Sequence, residues 1–202
     1  MTDGAQSTTV NANIRYQAKT DIALGGVLAG TAGTDEVGDV SLTATDGNIT
    51  DNGDAHTDVV ANALRMKAGG HIGEPSNTTQ GHLDTTVNDL TALAFGSGGI
   101  FITNSQAVTV TEVDEVPVQR VDDKATVTVE KDAAKQSDLV TQTNAGAIVL
   151  ITSAGDLTVT EGADTDDNVG VSAHGAGNIL LHSKANNMVV NAVIQSGSGH
   201  IS

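Results

Sequence analysis

A short unit recurs along this chain: a glycine, any residue, an aliphatic, any residue, and a second aliphatic. It reads Gly38-Asp39-Val40-Ser41-Leu42, Gly98-Gly99-Ile100-Phe101-Ile102, Gly146-Ala147-Ile148-Val149-Leu150, Gly155-Asp156-Leu157-Thr158-Val159 and Gly177-Asn178-Ile179-Leu180-Leu181. Shorter copies are Gly47-Asn48-Ile49, Gly70-His71-Ile72 and Gly199-His200-Ile201. Alternation with period two puts one set of side chains inward and the other outward, as in a strand. The copies at 155, 177 and 199 start 22 residues apart, and those at 47 and 70 start 23 apart. A regular period near that length suits one coil of a stack of short strands and tight corners. The expectation is an all-β fold, a parallel β-helix (β-solenoid) with roughly 22-residue coils and corner insertions.

Two longer echoes extend the pattern. Gly38 to Gly47 and Gly146 to Gly155 are both nine-residue steps, which reads as a coil pair used twice. Val10-Asn11-Ala12-Asn13-Ile14 is echoed by Val190-Asn191-Ala192-Val193-Ile194, which reads as the start of a further copy of a larger module. Residues 1–202 are therefore expected to be a single β-solenoid module cut from a longer tandem array. Met1-Thr2-Asp3-Gly4 is polar and does not read as a secretory leader. Two stretches break the rhythm. Glu74–Gly96 carries Pro75 and a Val87, Leu90, Ala94 spacing that fits either a helical turn or a bent strand. Thr111–Ser137 carries much of the charge and reads as a protruding hairpin or loop. Insertions are expected near 74–96 and 111–137.

Composition removes several classes. There is no Cys, so disulfide frameworks and thiolate zinc sites are excluded. A formal charge of −16 with nine Lys+Arg opposes binding to a phosphate backbone or an anionic membrane. No apolar run is long enough to cross a membrane as a helix. The aromatics are Tyr16, Phe95 and Phe101, too few for stacking platforms. The apolar residues fall in short alternating runs, which argues against disorder. A core so poor in aromatics must be built from thin aliphatic layers.

In such a stack each strand pairs with its equivalent one coil away, about 4.8 Å along the axis. Some nine coils would give a rod roughly 40 Å long. Asn48, Asn178 and Asn187 are expected at corners, in left-handed backbone and in hydrogen-bonded rows. End coils would present strand edges that invite another chain.

Several segments resemble a known family. Val59-Val60-Ala61-Asn62-Ala63-Leu64-Arg65-Met66-Lys67-Ala68, then His71-Ile72-Gly73, Leu83-Asp84-Thr85-Thr86-Val87, Leu90 and Gly98-Gly99-Ile100-Phe101-Ile102-Thr103-Asn104 look like repeats of giant bacterial surface proteins. They are similar to filamentous-haemagglutinin and autotransporter adhesins. The resemblance implies a right-handed parallel β-helix, an extracellular or outer-surface location, and a stalk or adhesive role.

Acidic corners at Asp46, Asp51, Asp54 and Asp58, and at Asp164, Asp166 and Asp167, are weak calcium candidates because calcium takes several oxygen ligands. Neither an EF-hand spacing nor a calcium-binding nonapeptide accompanies them. The histidines His56, His71, His82, His174, His182 and His200 lack an HExxH spacing. Arg15, Arg65 and Arg120 are far apart, and the period does not put them on a common face. No GxSxG or Walker pattern occurs. Thr-x-Thr pairs such as Thr43/Thr45 and Thr158/Thr160 do not recur once per coil, so they read as ordinary outward strand residues.

The reading is a structural or adhesive shaft, not an enzyme, with no catalytic residues and no cofactor beyond calcium at those aspartates. Expected partners are neighbouring coils or modules, a second copy joined end to end, and a host or cell-surface glycan or protein; nucleic acid and membrane insertion are not expected. The alternatives are a carbohydrate-active β-helix enzyme, a lyase or hydrolase, and a self-assembling extracellular filament subunit.

Overall fold

The computed structural model describes residues 4–31, 37–53, 56–75, 81–162 and 167–202. Among them every regular element is a strand. The chain moves back and forth between two parallel sheets, and each passage forms one rung. Rung one holds β1 (Gln6–Thr8), β2 (Ile14–Ala18) and β3 (Ile22–Leu24). Rung two holds β4 (Gly26–Leu28), β5 (Val40–Ala44) and β6 (Ile49–Asp51). Rung three holds β7 (Val59–Val60), β8 (Ala63–Ala68) and the single bridging residue Ile72. Rung four holds β9 (Leu83–Thr86), β10 (Asp89–Ala94) and the start of β11 (Ile100–Asn104). Rung five runs through β12 (Val108–Val110), the hairpin strands β13 (Val118–Val121) and β14 (Val127–Glu130), β15 (Leu139–Thr141) and the start of β16 (Ile148–Thr152). Rung six holds β17 (Leu157–Val159), β18 (Val169–Ala173) and the start of β19 (Ile179–Ser183). Rung seven holds β20 (Met188–Val190), β21 (Val193–Ser196) and Ile201.

The first sheet is ordered β1-β4-β7-β9-β11-β16-β19, and the second β2-β5-β8-β10-β12-β17-β20, with β15, β18 and β21 continuing from β10. All of these pairings are parallel, an arrangement consistent with a β-solenoid. The seven-stranded sheet sets seven rungs where about nine coils were expected, so the stack is about 30 Å long at roughly 4.8 Å per rung.

Register explains why such short strands hold. Ile22, Ile49, Ile72, Ile100, Ile148, Ile179 and Ile201 pair in succession and form one column of identical side chains. In the second sheet Ile14, Val40, Leu64, Leu90, Val110, Val159 and Val190 form another. A third runs Tyr16, Leu42, Met66, Ala92, Leu139, Val171 and Ile194. Ile49, Ile72, Ile100 and Ile148 are fully buried, each worth roughly 1.5–3 kcal/mol of burial. The inward residues of both sheets join in one aliphatic core.

Polar rows mark the corners. Asn13 Oδ1 accepts the Asp39 amide at 2.9 Å, and Asp39 Oδ1 accepts that of Ala63 at 3.1 Å. Asp21 Oδ1 accepts the Asn48 amide, and Asn48 Oδ1 accepts that of His71. Asn178 does the same for His200, and Asp156 for Asn187. Asn48, Asn178 and Asn187 therefore join hydrogen-bonded corners, but with aspartate side chains and backbone amides rather than other asparagines as neighbours, and not in left-handed backbone. Positive φ falls instead on Ala125, Asp138, Asn144, Ala145 and Asn168 outside glycine. Inside the stack, Asn104 is wholly buried and saturated. Its Oδ1 accepts from Thr85 Oγ1 and the Val87 amide, and its Nδ2 donates to the carbonyls of Val87 and Gln106. Gly99 shows why some glycines are obligatory. Its φ is +91°, and a Cβ there would lie 2.3 Å from the Ala147 carbonyl oxygen.

Three expectations need correction. The recurring glycine unit enters both sheets, so its spacing does not always measure one rung. Gly155 leads into β17 of the second sheet and Gly177 into β19 of the first, whereas 177 and 199 are true equivalents through Ile179 and Ile201. The steps Gly38–Gly47 and Gly146–Gly155 likewise cross between sheets in opposite order. The echo at 190–194 is out of phase, since Val190, not Ile194, lies in the column of Ile14. The stretch 74–96 is not one insertion. Leu83–Thr86 and Asp89–Ala94 are core strands bent at Val87–Asn88, because Leu83, Val87 and Leu90 are all buried.

Candidate functional site

The insertion at 111–138 interrupts the second sheet at a defined point. Leu90 pairs with Val110 of β12, and Ala92 pairs with Leu139 of β15, so the insertion departs opposite Thr91. It doubles back on itself as an arm, with an antiparallel bridge at Val113–Gln136 and the β13–β14 hairpin at its far end. Val113 and Val116 are buried. The arm lies across the outer face of the second sheet, over the row Arg15, Ser41, Arg65, Thr91. Its contacts descend rung by rung. The Thr91 hydroxyl donates to the Asp138 carbonyl, and Gln136 Nε2 donates to the Met66 carbonyl. Arg65 Nη1 donates to the Ala134 carbonyl at 2.7 Å. Asp132 reaches Ser41 and Arg15, and Asn13 Nδ2 donates to the Pro117 carbonyl.

Asp132 is the anchor, at 5% exposure. Its Oδ1 accepts from Arg15 Nε at 3.2 Å and Ser41 Oγ at 2.9 Å. Its Oδ2 accepts from the Val116 amide at 3.1 Å and lies 3.5 Å from Arg65 Nε. A buried carboxylate is tolerated only when paired and hydrogen-bonded, and here both oxygens are engaged. Burial pushes the Arg65 guanidinium below its usual range, while Asp132 and Glu115 act in the opposite direction. On the arm's outer side Lys135 bridges Glu112 and Asp114, both at 2.8 Å, and those hydrogen bonds push its ammonium above the usual lysine range.

Beside the arm runs a cleft of about 290 Å³. Its floor is the outward row Gln17, Thr43, Lys67, Leu93, and residues 132–136 form its wall. Arg15 Nη2 donates to Gln17 Oε1 at 3.1 Å. Lys67 Nζ sits 5.5 Å from the centre of the Phe95 ring, and among the described residues no carboxylate pairs with it. Amides, a hydroxyl and cations around a shallow cleft can donate hydrogen bonds to an oxygen-rich ligand.

The calcium candidates are scattered. Asp46 lies in the turn after β5, and Asp51 at the end of β6 accepts the Gly53 amide. Asp167 accepts the Val169 amide before β18. Asp58 Oδ2 accepts the Asp84 amide in a corner row. Asp54, Asp164 and Asp166 lie outside the described residues. Among the described residues no group of three or more His, Asp or Glu is arranged to hold a metal ion. His71 Nε2 lies 3.5 Å from Glu74, and His82 Nδ1 shares a hydrogen bond with Thr103 at 3.0 Å.

Arg15 and Arg65 correct the sequence reading. They were expected on no common face, yet Arg15, Ser41 and Arg65 stand on adjacent rungs in one row. The signal was local: each is flanked by inward, largely apolar side chains, in Ile14-Arg15-Tyr16, Val40-Ser41-Leu42 and Leu64-Arg65-Met66. That equal phase places all three outward. Compared with protein-family models, curated proteins and solved structures, the chain finds no match in any of the three.

Proposed function

We propose that the chain is a structural shaft module of a large secreted or cell-surface protein, a stiff spacer that presents loops for adhesion. In this reading the backbone closes into a right-handed β-helix whose shorter coils run from 19 residues, Leu83 to Ile102, to 23, Ile49 to Ile72, with Ile179 to Ile201 at 22. One observation carries it: an isoleucine column runs without a break from Ile22 to Ile201. Stacking of identical side chains gives each rung the same neighbours, which suits a spacer of constant cross-section. The resemblance to filamentous-haemagglutinin and autotransporter repeats supports surface display. Adhesion would belong to what departs from the repeat, the arm and its cleft, because insertions carry chemical individuality. The cleft's donors suit a cell-surface glycan or protein rich in carboxylates and hydroxyls.

The competing reading, a polysaccharide lyase or hydrolase, would use the same cleft, but there Asp132 engages both arginines. One assay separates the two. Immobilised chain is exposed to acidic polysaccharides, and both retention and new chain ends are measured. Retention without cleavage agrees with the shaft reading. Release of new reducing or unsaturated ends overturns it.

A further inference from the structure

The cleft beside the arm has one outward row of the second sheet as its floor. Gln17 pairs with Thr43, Thr43 with Lys67 and Lys67 with Leu93, so the four side chains stand on successive rungs. Two rung spacings, about 10 Å, separate Gln17 from Lys67. The row offers donors. Arg15 Nη2 donates to Gln17 Oε1 at 3.1 Å, which occupies the amide oxygen and leaves the amide nitrogen for a ligand. Arg15 is itself held at Nε by the buried Asp132. The Phe95 ring, its centre 5.5 Å away, steadies the Lys67 ammonium without neutralising it. Among the described residues the Gln17 amide nitrogen, the Thr43 hydroxyl and the Lys67 ammonium have no hydrogen-bond partner.

The acceptors beside that row are already used. Gln17 Oε1 and both oxygens of Asp132 are engaged. Four cations and one carboxylate line the cleft, in a chain of formal charge −16. Lys135 is neutralised by Glu112 and Asp114, and Arg15 and Arg65 share Asp132, so Lys67 is the cation left to meet a ligand. Leu93, Ala133 and Ala134 add a small apolar surface. The complementary ligand carries a carboxylate beside a run of hydroxyl and ether oxygens, with C–H faces to lie on that surface. This is the chemistry of a uronic acid in a sugar chain, and two linked pyranose rings match the span from Lys67 to Gln17. An acidic peptide fits less well. Peptides gain by adding to a sheet edge, whereas β5 and β8, which carry Thr43 and Lys67, are paired on both sides.

We propose that Gln17, Thr43 and Lys67 form a subsite for a uronic-acid unit of an acidic polysaccharide. The uronate carboxylate lies on Lys67 Nζ, and oxygens of the adjoining sugar accept from the Thr43 hydroxyl and the Gln17 amide. The sugar chain runs along the stack axis, parallel to the row. This rests on the reading of the cleft as the adhesive part of the shaft, and deepens it by naming the class of glycan retained and the side chain that reads its charge.

The test is a titration of the full chain followed by NMR. The probes are a galacturonate trisaccharide, a hyaluronan tetrasaccharide, the uncharged methyl ester of the trisaccharide, and triglutamate. The two uronates are expected to shift the side-chain amide signals of Gln17 and the backbone amides of Thr43 and Lys67. The ester, which lacks the charge, should bind about tenfold more weakly or worse. Lys67→Gln is expected to weaken uronate binding by a similar factor and to level acid and ester, while Lys67→Arg binds better than Lys67→Gln. Gln17→Glu keeps the contact with Arg15 but replaces the donor by an acceptor, and should weaken binding too. Lys124→Gln removes the same charge at the exposed hairpin tip and should leave the affinity nearly unchanged. Each variant should keep the wild-type circular dichroism. No shift with either uronate at millimolar concentration, an affinity indifferent to Lys67→Gln, or triglutamate bound as tightly as the trisaccharide would each overturn the subsite. These three results leave the shaft reading standing on its isoleucine column. Release of new chain ends from the uronates overturns the shaft reading instead, and leaves the subsite intact where Lys67→Gln still weakens binding.

Discussion

Arg15 Nε donates to Asp132 Oδ1 at 3.2 Å across 117 residues of sequence, and this bond ties the arm's far half to the first rung. The second arginine, Arg65, approaches the other carboxylate oxygen from two rungs away. One side chain therefore fixes the arm to three successive rungs, with Ser41 between.

Replacing Asp132 by Asn removes the charge and leaves two poorly exposed guanidinium groups without it. Breaking one partner of a buried pair costs about 3–5 kcal/mol. The loss is expected to be local. Amide exchange should accelerate throughout 111–138, while the amides of Ile100 and Ile148 keep their protection. Equal loss of protection in the isoleucine column would contradict a separable arm.

Ile100 sits in the middle of its column and is fully buried. Ile100→Val should cost about 0.5–1.5 kcal/mol and Ile100→Ala about 2–5 kcal/mol in denaturant titration. Equal, small effects from both would mean that the column is not tightly packed.

Asn104→Ala leaves the Val87 amide and carbonyl without their partner inside the stack. Each buried group so orphaned costs about 1–3 kcal/mol. The variant is expected to melt well below Ile100→Val, although both substitutions only shorten a side chain. A melting point at or above that of Ile100→Val would show that water replaces the asparagine.

How much of this was legible in the sequence depends on the link in question. Alternation around Ile100, Ile148 and Ile179 declared strands, and glycine before each declared a corner. Rung assignment was not legible, because the same unit leads into either sheet, as Gly155 and Gly177 do. Nor was the length of a rung, since 111–138 and 160–168 enter inside the second sheet's strands and not at its ends. The arm was visible as a charged interruption. Its landing place was not, because Asp132 is one carboxylate among many until the register brings Arg15 and Arg65 into a row.

Two groups set opposite pH responses. Burial, with Asp39 nearby, raises the Asp89 carboxyl above its usual range. The folded chain then holds a proton that the unfolded chain has lost, so this group favours folding as pH falls toward the ordinary aspartate value, about 3.9. At neutral pH its ionised form works against the fold, and Asp89→Asn is expected to raise the melting temperature there and to lose that advantage in acid. Burial, with Lys184 adding to it, lowers the His82 imidazole. Its contribution is complete above the ordinary histidine value, about 6.5, and is lost as pH falls through the lowered one. Thermal melts of wild type, Asp89→Asn and His82→Gln from neutral to acid pH check both signs; parallel curves for all three would contradict them.

Cysteine pairs read directly which residues face one another across adjacent rungs. The chain has no cysteine of its own. Thr43 pairs with Lys67, Val149 with Leu180 and Thr158 with Val189, each pair outward and in register. Directly paired positions in neighbouring strands lie within the Cα separation that a disulfide spans, roughly 4.4–6.8 Å. Double-cysteine variants at these pairs, oxidised at low protein concentration and mapped by peptide mass, should each close an intramolecular bond. A pair shifted by one residue, Val149 with Leu181, puts the two thiols on opposite faces and should stay open. Closure of the shifted pair, or failure of all three registered pairs, would contradict the stacked rungs.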